Sequence, residues 1–375
     1  MKENNSNRNQ HKAEYNSRGM MRRLTVASGF ALCVVAFLAG GLAVLGVSGK
    51  YNLKQQTMSY AADAGKSVQA VTATAGEGKA REEGQVIYQG QRYRYNEDIL
   101  TFLFMGIDRE SGERNPDEYA GGGQADALFL FVLDPHQETM SLIPINRSTM
   151  TDIDVYDAQG NYEKTVTAQI CVQHGFGDGG RKSCEYQVKA VRNLFYGIPI
   201  HGYLSVDMGA VTAVTELVGG IDVRALEDVR NGNREVIVRQ GEPVHLDGEQ
   251  AYWYVRDRDS SAELSAEGRA DRQRQFVTAL VDKVRRMTKQ DLTVPIKIYN
   301  RISDRAVTDI TVDEVTYLTA TAGGYHFSES RVVTIPGRSV SGESNGENGF
   351  DEFYVDENAL YELVLDVFYE PADEE

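Results

Sequence analysis

The chain has 375 residues, enough for one large domain or two small ones with extensions. Its hydrophobic content of 41% is ordinary for a globular protein, so a core can be buried. The formal net charge of −16 argues against a nucleic-acid partner, because duplex binding requires a basic surface. Charge is unevenly spread, since residues 1–23 hold six basic and two acidic residues, a balance of +4.

An uncharged apolar stretch, Leu24–Ser48, follows this basic tail. A helix of this length covers about 37 Å, enough for a hydrocarbon core of about 30 Å. We therefore expect a single-pass cell-membrane protein with residues 1–23 in the cytoplasm and 49–375 outside the cell. A cleaved signal peptide is the alternative, because small residues lie near the end of the stretch.

The three cysteines fit an exported domain. Cys33 lies within the predicted span, whereas Cys171 and Cys184 both follow it. A pair of cysteines in an oxidising compartment is more often bridged than free, so a Cys171–Cys184 disulfide is expected. Two unpaired, buried thiols are the alternative.

Residues 49–96 read as a linker or stalk that ends in a short hairpin. Residues 49–84 are rich in Ala, Gly, Thr and Ser and have no hydrophobic period. The hairpin is Val86–Tyr88 and Tyr93–Tyr95 around a Gln89-Gly90 turn.

The remaining pattern predicts an α/β fold with three layers, α–β–α, and a mixed central sheet, preceded by one transmembrane helix. Three apolar runs predict neighbouring strands that are antiparallel where short turns join them. These runs are Leu100–Ile107, Ala127–Leu133 and Met140–Ile145. Residues 97–290 would form the core domain and 291–375 a C-terminal α/β extension packed on it or following it. Short strands and one helix are expected over 292–335.

Helical patterns recur between and after these strands. Asp207 and Asp247 stand where N-caps are expected. The predicted helices are Glu185–Tyr196, Ala210–Val218, Glu249–Val255, Gly268–Met287, Val312–Ala322 and Leu360–Phe368.

Two acids and an arginine stand at the ends of the three predicted strands. Asp108 ends the first strand, Asp126 begins the second and Arg147 follows the third. In an antiparallel arrangement these positions share one sheet edge, a place where α/β folds bind ligands. Two facing carboxylates repel unless a cation lies between them, and Mg²⁺ shared with a phosphate is a natural candidate. Taken singly, either acid could be an ordinary turn or cap residue.

Arginines cluster in this otherwise acidic chain at positions 256, 258, 269, 272 and 274. On the longest predicted helix, Arg269, Arg272, Gln273 and Phe276 follow the i, i+3, i+4, i+7 pattern and share one face. Guanidinium groups at the start of a core-facing stripe suit phosphate oxygens, helped by the helix N-terminus. Pairing with nearby Glu263, Glu267 or Asp271 is the structural alternative.

In order and spacing these segments resemble the LytR-CpsA-Psr family of cell-wall ligases, over roughly residues 97–285. No histidine ligand spacing, nucleophile elbow, Walker loop or CxxC motif competes with this interpretation. The matching stretches are 104–109, 124–128, 143–147, 197–200, 218–223, 246–251, 254–258, 268–269 and 272–273.

The resemblance implies phosphoryl transfer of a polyprenyl-pyrophosphate-linked glycopolymer, teichoic-acid-like or capsular, onto peptidoglycan, with the lipid tail in an apolar pocket. Asp108, Asp126 and Arg147 would be catalytic, and the two acids would hold Mg²⁺, with Mn²⁺ as an alternative. The family match and the helix-face argument together predict a set of pyrophosphate ligands. They are Arg109, Arg147, Arg256, Arg258, Arg269, Arg272 and Gln273.

Three departures from the family pattern, taken together, reduce the net positive charge expected at the site. Gln124 stands where the family often has Arg, Ser148 where it often has Asp, and Gln169-Ile170-Cys171 in place of Lys-Ile-Asn. Weaker phosphate affinity or an altered substrate would follow. Two other functions stay open, a pyrophosphatase using the same site and a non-catalytic lipid-carrier or wall-binding module. A transcriptional regulator is disfavoured by the topology and the acidity.

Overall fold

A mixed sheet of five strands lies at the centre of the fold. The computed structural model describes residues 48–50, 52–53, 85–108, 122–157, 159–258, 265–341 and 350–372. Arg109 and the predicted span, apart from Ser48, lie outside these ranges. Within them, no helix is both long and apolar enough to cross a bilayer.

The described strands and helices are as follows. The strands are β1 Gln85–Tyr88, β2 Gln91–Tyr95, β3 Leu100–Ile107, β4 Ala125–Asp134, β5 Thr139–Ile145, β6 Met150–Tyr156, β7 Tyr162–Gln169, β8 Gly202–Asp207, β9 Ile221–Arg224, β10 Val229–Arg230, β11 Val236–Val238, β12 Pro243–Leu246, β13 Ala306–Thr308, β14 Gly337–Val340, β15 Glu352–Val355 and β16 Tyr369–Pro371. The α-helices are α1 Arg181–Leu194, α2 Met208–Leu217, α3 Gly248–Arg256, α4 Ser265–Thr288, α5 Val294–Ile302, α6 Val312–Ala322 and α7 Glu357–Phe368. Short 3₁₀ turns cover Ile170–Phe176, Ser303–Arg305 and Glu329–Arg331.

The central sheet has the strand order β13-β8-β3-β4-β5. β4 is antiparallel to both β3 and β5, and the short turn between β4 and β5 predicted the second of these pairings. β8 is parallel to β3, and β13 is antiparallel to β8. The prediction of a mixed sheet is therefore confirmed, and a strand from beyond residue 290 forms one edge of it.

Alternating side chains of β3 face two different helical layers. Leu103 and Met105 belong to a buried cluster with residues of α1 and α7. Phe102 and Phe104 point to the opposite face, where α2, α4, α5 and α6 pack. This alternation gives three layers, helices on both sides of the sheet, because successive side chains of a strand point to opposite faces.

The predicted helix starts are present. Asp207 accepts a hydrogen bond from the backbone N–H of Ala210 and caps α2. Asp247 and Gln250 form a capping box at the start of α3. The predicted hairpin is present as β1 and β2, and both Gln89 and Gly90 have positive φ, as a tight two-residue turn requires.

One segment differs from its predicted structure. Residues 294–302 fall in the region 292–335, where short strands and one helix near Val312–Ala322 were expected, and Val294, Ile296 and Ile298 alternate with other residues there. They form helix α5 instead, with proline in its first turn, where a missing N–H is tolerated. Val294 and Ile302 lie on its buried side, so a helical period of apolar residues prevails over the local alternation.

The predicted disulfide is also wrong. Cys171 and Cys184 are both free and buried. Cys171 Sγ lies 3.4 Å from Nη2 of Arg147, whereas Cys184 Sγ lies 3.9 Å from Nε2 of His174. The two thiols therefore face different neighbours, and the alternative of two buried thiols is the one observed.

A buried histidine provides a test of the core through its pH dependence. His201 Nδ1 accepts a hydrogen bond from the backbone N–H of Thr101, and burial lowers the pKa of His201 to about 4. A depressed folded-state pKa contributes stability above the unfolded-state value of about 6.5, and this stability is lost as pH falls from there towards 4. His201→Asn keeps an acceptor for Thr101, so we expect it to remove up to about 3 kcal/mol of acid destabilisation over this range.

Urea unfolding at a series of pH values measures this change in the pH dependence of stability. His136 is the matched control, because it is exposed and its hydrogen bond with Asp98 raises its pKa. If the free energy of unfolding of His201→Asn falls with decreasing pH as steeply as that of the wild type, the lowered pKa of His201 is contradicted.

Candidate anion site at the sheet edge

The acid and arginine side chains predicted at one sheet edge do meet there. Arg147 Nη1 lies 2.6 Å from Oδ1 of Asp126, and Arg269 Nη2 lies 3.3 Å from Oδ2 of the same carboxylate. Four elements thus meet around Asp126: the end of β3, the start of β4, the end of β5 and the first turns of α4. Asp108 lies at this edge as an exposed residue whose charge acts on Asp126.

The antiparallel register explains the convergence. Ile107 pairs with Ala125, and Leu128 pairs with Ile145. Asp108 therefore follows the last paired residue of β3 just where Asp126 begins β4. Arg147, two residues beyond the end of β5, returns to the same level of the sheet.

Burial disfavours the charged forms of the side chains in this cluster. The pKa of Asp126 is raised by burial and by the nearby Asp108 charge, while Arg147 and Arg269 oppose the shift. Burial likewise lowers the pKa of the Arg269 guanidinium, with Asp126 opposing. Charged groups in such surroundings are tolerated when they are paired, and the pairing observed here is with Asp126 rather than with Glu267 or Asp271.

The cluster retains capacity for an anion. With Arg258, which also acts on the Asp126 charge, and Asp351, which lies 3.8 Å from Arg258, it contains three arginines and three acids. Oδ1 of Asp126 is close to Arg147, yet it makes no aligned hydrogen bond in the described structure. An incoming phosphate would find guanidinium groups that are already oriented and that can share their N–H donors with it.

Two of the family departures contact Arg147 directly. Arg147 Nη2 donates to Oε1 of Gln124 at 2.5 Å and to Sγ of Cys171 at 3.4 Å. Gln124 and Cys171 therefore orient the guanidinium so that its other nitrogen faces Asp126. The sequence marked both positions as unusual but gave no sign that they meet at one residue.

The remaining predicted ligands are distributed differently. Arg258 lies near Asp351, with 3.8 Å between Nη2 and Oδ2, and Arg256 lies over the ring of Tyr252. Gln273 donates to the carbonyl of Val255 at 3.1 Å and lines the cavity described below. Nothing in the local sequence around Asp351 pointed to a partner for Arg258.

The structure does not place Arg272 with the other arginines. Its Nε lies 3.0 Å from Oε2 of Glu227, and its two terminal nitrogens donate to the carbonyls of Tyr254 and Asp257. These carbonyls lie at the end of α3, where helical acceptors have no partner within the helix. Arg272 therefore satisfies a buried helix end and holds the segment that carries Arg256 and Arg258.

An apolar cavity of about 480 Å³ adjoins the site. It lies between the sheet and the helices α2, α4, α5 and α6, and Asp126 and Gln273 line it together with many aliphatic and aromatic side chains. Its wall includes Phe104, Phe129, Val214, Phe276, Leu280 and Ile298. A basic edge that continues into an apolar cavity is suited to an amphiphile with an anionic head and a hydrocarbon tail.

The fold and this site define a three-layer α/β protein with a site for an amphiphilic anion. The family model described as the LytR_cpsA_psr family matches residues 55–365, so the chain belongs to this family, as the sequence motifs predicted.

Named relatives and solved structures agree with this membership. The chain is 29% identical over 249 residues to "Polyisoprenyl-teichoic acid--peptidoglycan teichoic acid transferase TagV" of Bacillus subtilis (strain 168), covering 64% of this chain and 57% of that protein. The crystal structure of B. subtilis TagV superposes with a TM-score of 0.54 at 26% identity, covering 72% of this chain and 96% of that one. A structure titled "TagT bound to LI-WTA" shares the fold, with a TM-score of 0.51 at 18% identity over 72% of this chain and 89% of that one.

Arg269 and Arg272 allow a matched test, since both are buried on the same face of α4. Arg272→Met should lower the free energy of unfolding by about 2–4 kcal/mol, because it leaves buried carbonyls unsatisfied. Arg269→Met should cost less, because Asp126 retains Arg147, yet it should abolish stabilisation by inorganic pyrophosphate. Thermal melts with and without pyrophosphate measure both effects. Loss of the pyrophosphate shift in Arg272→Met, at unchanged stability, would reverse the two roles.

Proposed function

We propose that this protein transfers a glycopolymer from a polyprenyl pyrophosphate carrier to a hydroxyl group of peptidoglycan. The observation that carries the proposal is the position of Asp126, which pairs with two arginines and also lines the apolar cavity. A pyrophosphate and a prenyl chain attached to it could therefore be bound together. Family membership and the transferase names of TagV and the TagU relatives support the same activity for a teichoic-acid-like or capsular polymer.

The arginines bind the diphosphate and stabilise the charge that develops on it. Arg147 and Arg269 are fixed by Asp126, and Arg258 stands at the more exposed side of the cluster. Guanidinium groups held in place before the reaction stabilise a developing phosphate charge without reorganisation. The cavity holds the prenyl chain and excludes water from one side of the diphosphate.

The transfer forms one bond to phosphorus and breaks another. The oxygen of the acceptor hydroxyl attacks the phosphorus that bears the polymer, and the bond from that phosphorus to the bridging oxygen breaks. The electron pair leaves with the bridging oxygen, which releases polyprenyl monophosphate. Asp108 receives the hydroxyl proton in this proposal, because it is the exposed acid of the site, whereas Asp126 is enclosed by arginines.

Asp108 and Asp126 also fit a divalent cation that is shared with the substrate. The described residues contain no group of three or more His, Cys, Asp or Glu side chains that could hold a metal alone. Mg²⁺ is commonly bound by one or two carboxylates together with substrate phosphates. Among the described residues, Oδ1 of Asp126 has Arg147 as a charged neighbour at 2.6 Å but no aligned hydrogen bond. Bound Mg²⁺, or Mn²⁺ in its place, would neutralise phosphate charge.

The proposal places the domain outside the cell membrane. It rests on the charge-free stretch Leu24–Ser48 and its basic flank, which favour a single span with a cytoplasmic N-terminus. The lipid carrier and peptidoglycan, the two partners in the reaction, are both accessible there.

Transfer can be measured with the purified full chain, a lipid-linked glycopolymer and peptidoglycan. Arg147→Met should reduce the transfer rate by about 100-fold or more, because it removes a donor that stabilises developing charge. Arg274→Met is the control, since Arg274 forms an exposed pair with Asp271, and such pairs contribute little.

Product analysis without acceptor separates the remaining functions. Release of polyprenyl phosphate that depends on peptidoglycan supports the transferase. Equal release in water alone would identify a pyrophosphatase, and binding without any release, unaffected by loss of both acids, would identify a lipid-carrier module.

The cation site can be tested by calorimetric titration of Mg²⁺ in the presence of inorganic pyrophosphate. Asp108→Asn should weaken Mg²⁺ binding by about tenfold or more, because it removes one of two carboxylates. Asp98→Asn, a change of an exposed acid that pairs with His136 away from the site, should leave binding unchanged. Equal Mg²⁺ affinity in all three proteins would contradict the site.

A further inference from the structure

The apolar cavity has a direction. Asp126 and Gln273 line one end, whereas Leu133 and Ala322, with Arg285 beside them, line the other. Asp126 and Leu133 both lie on β4, seven residues apart, which corresponds to about 23 Å along a strand. The cavity therefore runs parallel to β4, from the strand ends that carry Asp126 and the arginines to the opposite strand ends.

The segment that follows the uncharged stretch docks at this opposite edge. Residues 48–50 and 52–53 are helical and meet the start of α6. Asn52 Nδ2 donates to Oδ2 of Asp313 at 3.1 Å, and the Ser48 side chain hydrogen-bonds the same carboxylate. A Cβ on Gly49 would lie 2.4 Å from the carbonyl oxygen of Asp313, so glycine is needed for the close approach.

Leu53 connects this docked segment to the cavity wall. Its side chain is 2% exposed and belongs to a buried cluster with Phe102, Leu133 and Ala322, all of which line the cavity. The chain that leaves residues 24–47 is thus packed against the end of the cavity that lies away from Asp126, Arg147 and Arg269.

Two large apolar side chains are exposed on the same side of the domain. Val312, next to Asp313, is 43% exposed, and Leu292 is 62% exposed. Leu292 follows the end of α4, where Thr288 lines the cavity and lies near Gly323, just beyond α6. Exposed apolar residues around an anchoring segment are suited to contact with a lipid surface.

We infer that the side of the domain that carries Leu292 and Val312 contacts the bilayer and that the long axis of the cavity is perpendicular to the membrane plane. The prenyl chain then lies with its tail end towards the membrane, while its pyrophosphate is held at the Asp126 edge about 20 Å farther out. The inference rests on the proposed membrane anchor and lipid substrate. It adds the surface through which the domain contacts the membrane and the orientation of the cavity relative to that surface.

Quenching of tryptophan by brominated lipids tests the surface. The chain has a single tryptophan, Trp253, so Trp253→Phe gives a dark background for the full chain in phosphatidylglycerol–phosphatidylcholine vesicles. Tryptophan at position 292 or 312, introduced as Leu292→Trp or Val312→Trp, should lose emission when the vesicle lipids are brominated. Phe350→Trp is the matched control, because Phe350 is 65% exposed and adjoins Asp351 beside Arg258.

Each outcome of this experiment is decisive. Quenching at 292 and 312 but not at 350 supports the orientation. Quenching at 350 alone, or at none of the three in vesicle-bound protein, overturns it. Vesicle flotation reports whether the chain is anchored, and the transfer assay is read separately, so failure of the anchor or of the proposed reaction is distinguishable from failure of the orientation.

A photoreactive geranylgeranyl phosphate tests the lipid polarity. With a diazirine on its last isoprene unit, it should label peptides that contain Phe102, Leu133 or Ala322. Labelling confined to peptides around Val255 and Gln273 would mean that the lipid lies the other way round.

Discussion

The pairing of one carboxylate, Asp126, with two arginines holds the site together. Asp126 begins β4, Arg147 follows β5 and Arg269 lies near the start of α4, so a single buried group connects three separate parts of the chain. The carboxylate offsets part of the repulsion between two guanidinium groups that lie on its two sides. With Arg258, Asp108 and Asp351 included, the site has equal numbers of arginines and acids, so its guanidinium groups are held in place without strong mutual repulsion before a phosphate binds.

Helix α4 links this charged point to the hydrocarbon-lined cavity. Arg269 lies in its second turn, and the same helix face continues as Phe276, Leu280 and Val284, which line the cavity. One helix thus presents cationic groups at its N-terminal end, where the helix dipole favours anions, and aliphatic groups along the rest of its length. An amphiphilic ligand of matching length would contact both parts of one rigid element.

The residues that depart from the family pattern are connected to the site by hydrogen bonds. Gln124 and Cys171 both accept from Arg147. Gln169 lies 3.4 Å from the hydroxyl of Ser148 and donates to the carbonyl of Asp351 at 2.7 Å, so two positions that are often charged in the family form a neutral pair here. This network supports Arg147 and the loop near Arg258 without adding further charge.

The sequence by itself determined the elements and the edge at which the site lies. Strand ends at Asp108 and Asp126, the caps at Asp207 and Asp247 and the shared face of Arg269 and Gln273 all follow from local spacing, because periodicity and capping depend on neighbours in the chain. Only the tertiary structure decided which buried groups meet. Arg269 and Arg272 have the same helical face and similar burial, yet one pairs with Asp126 and the other with Glu227 and the end of α3. The separation of Cys171 from Cys184 and the helical state of Val294–Ile302 have the same origin, since partners that are remote in sequence set the surroundings in which each side chain is buried.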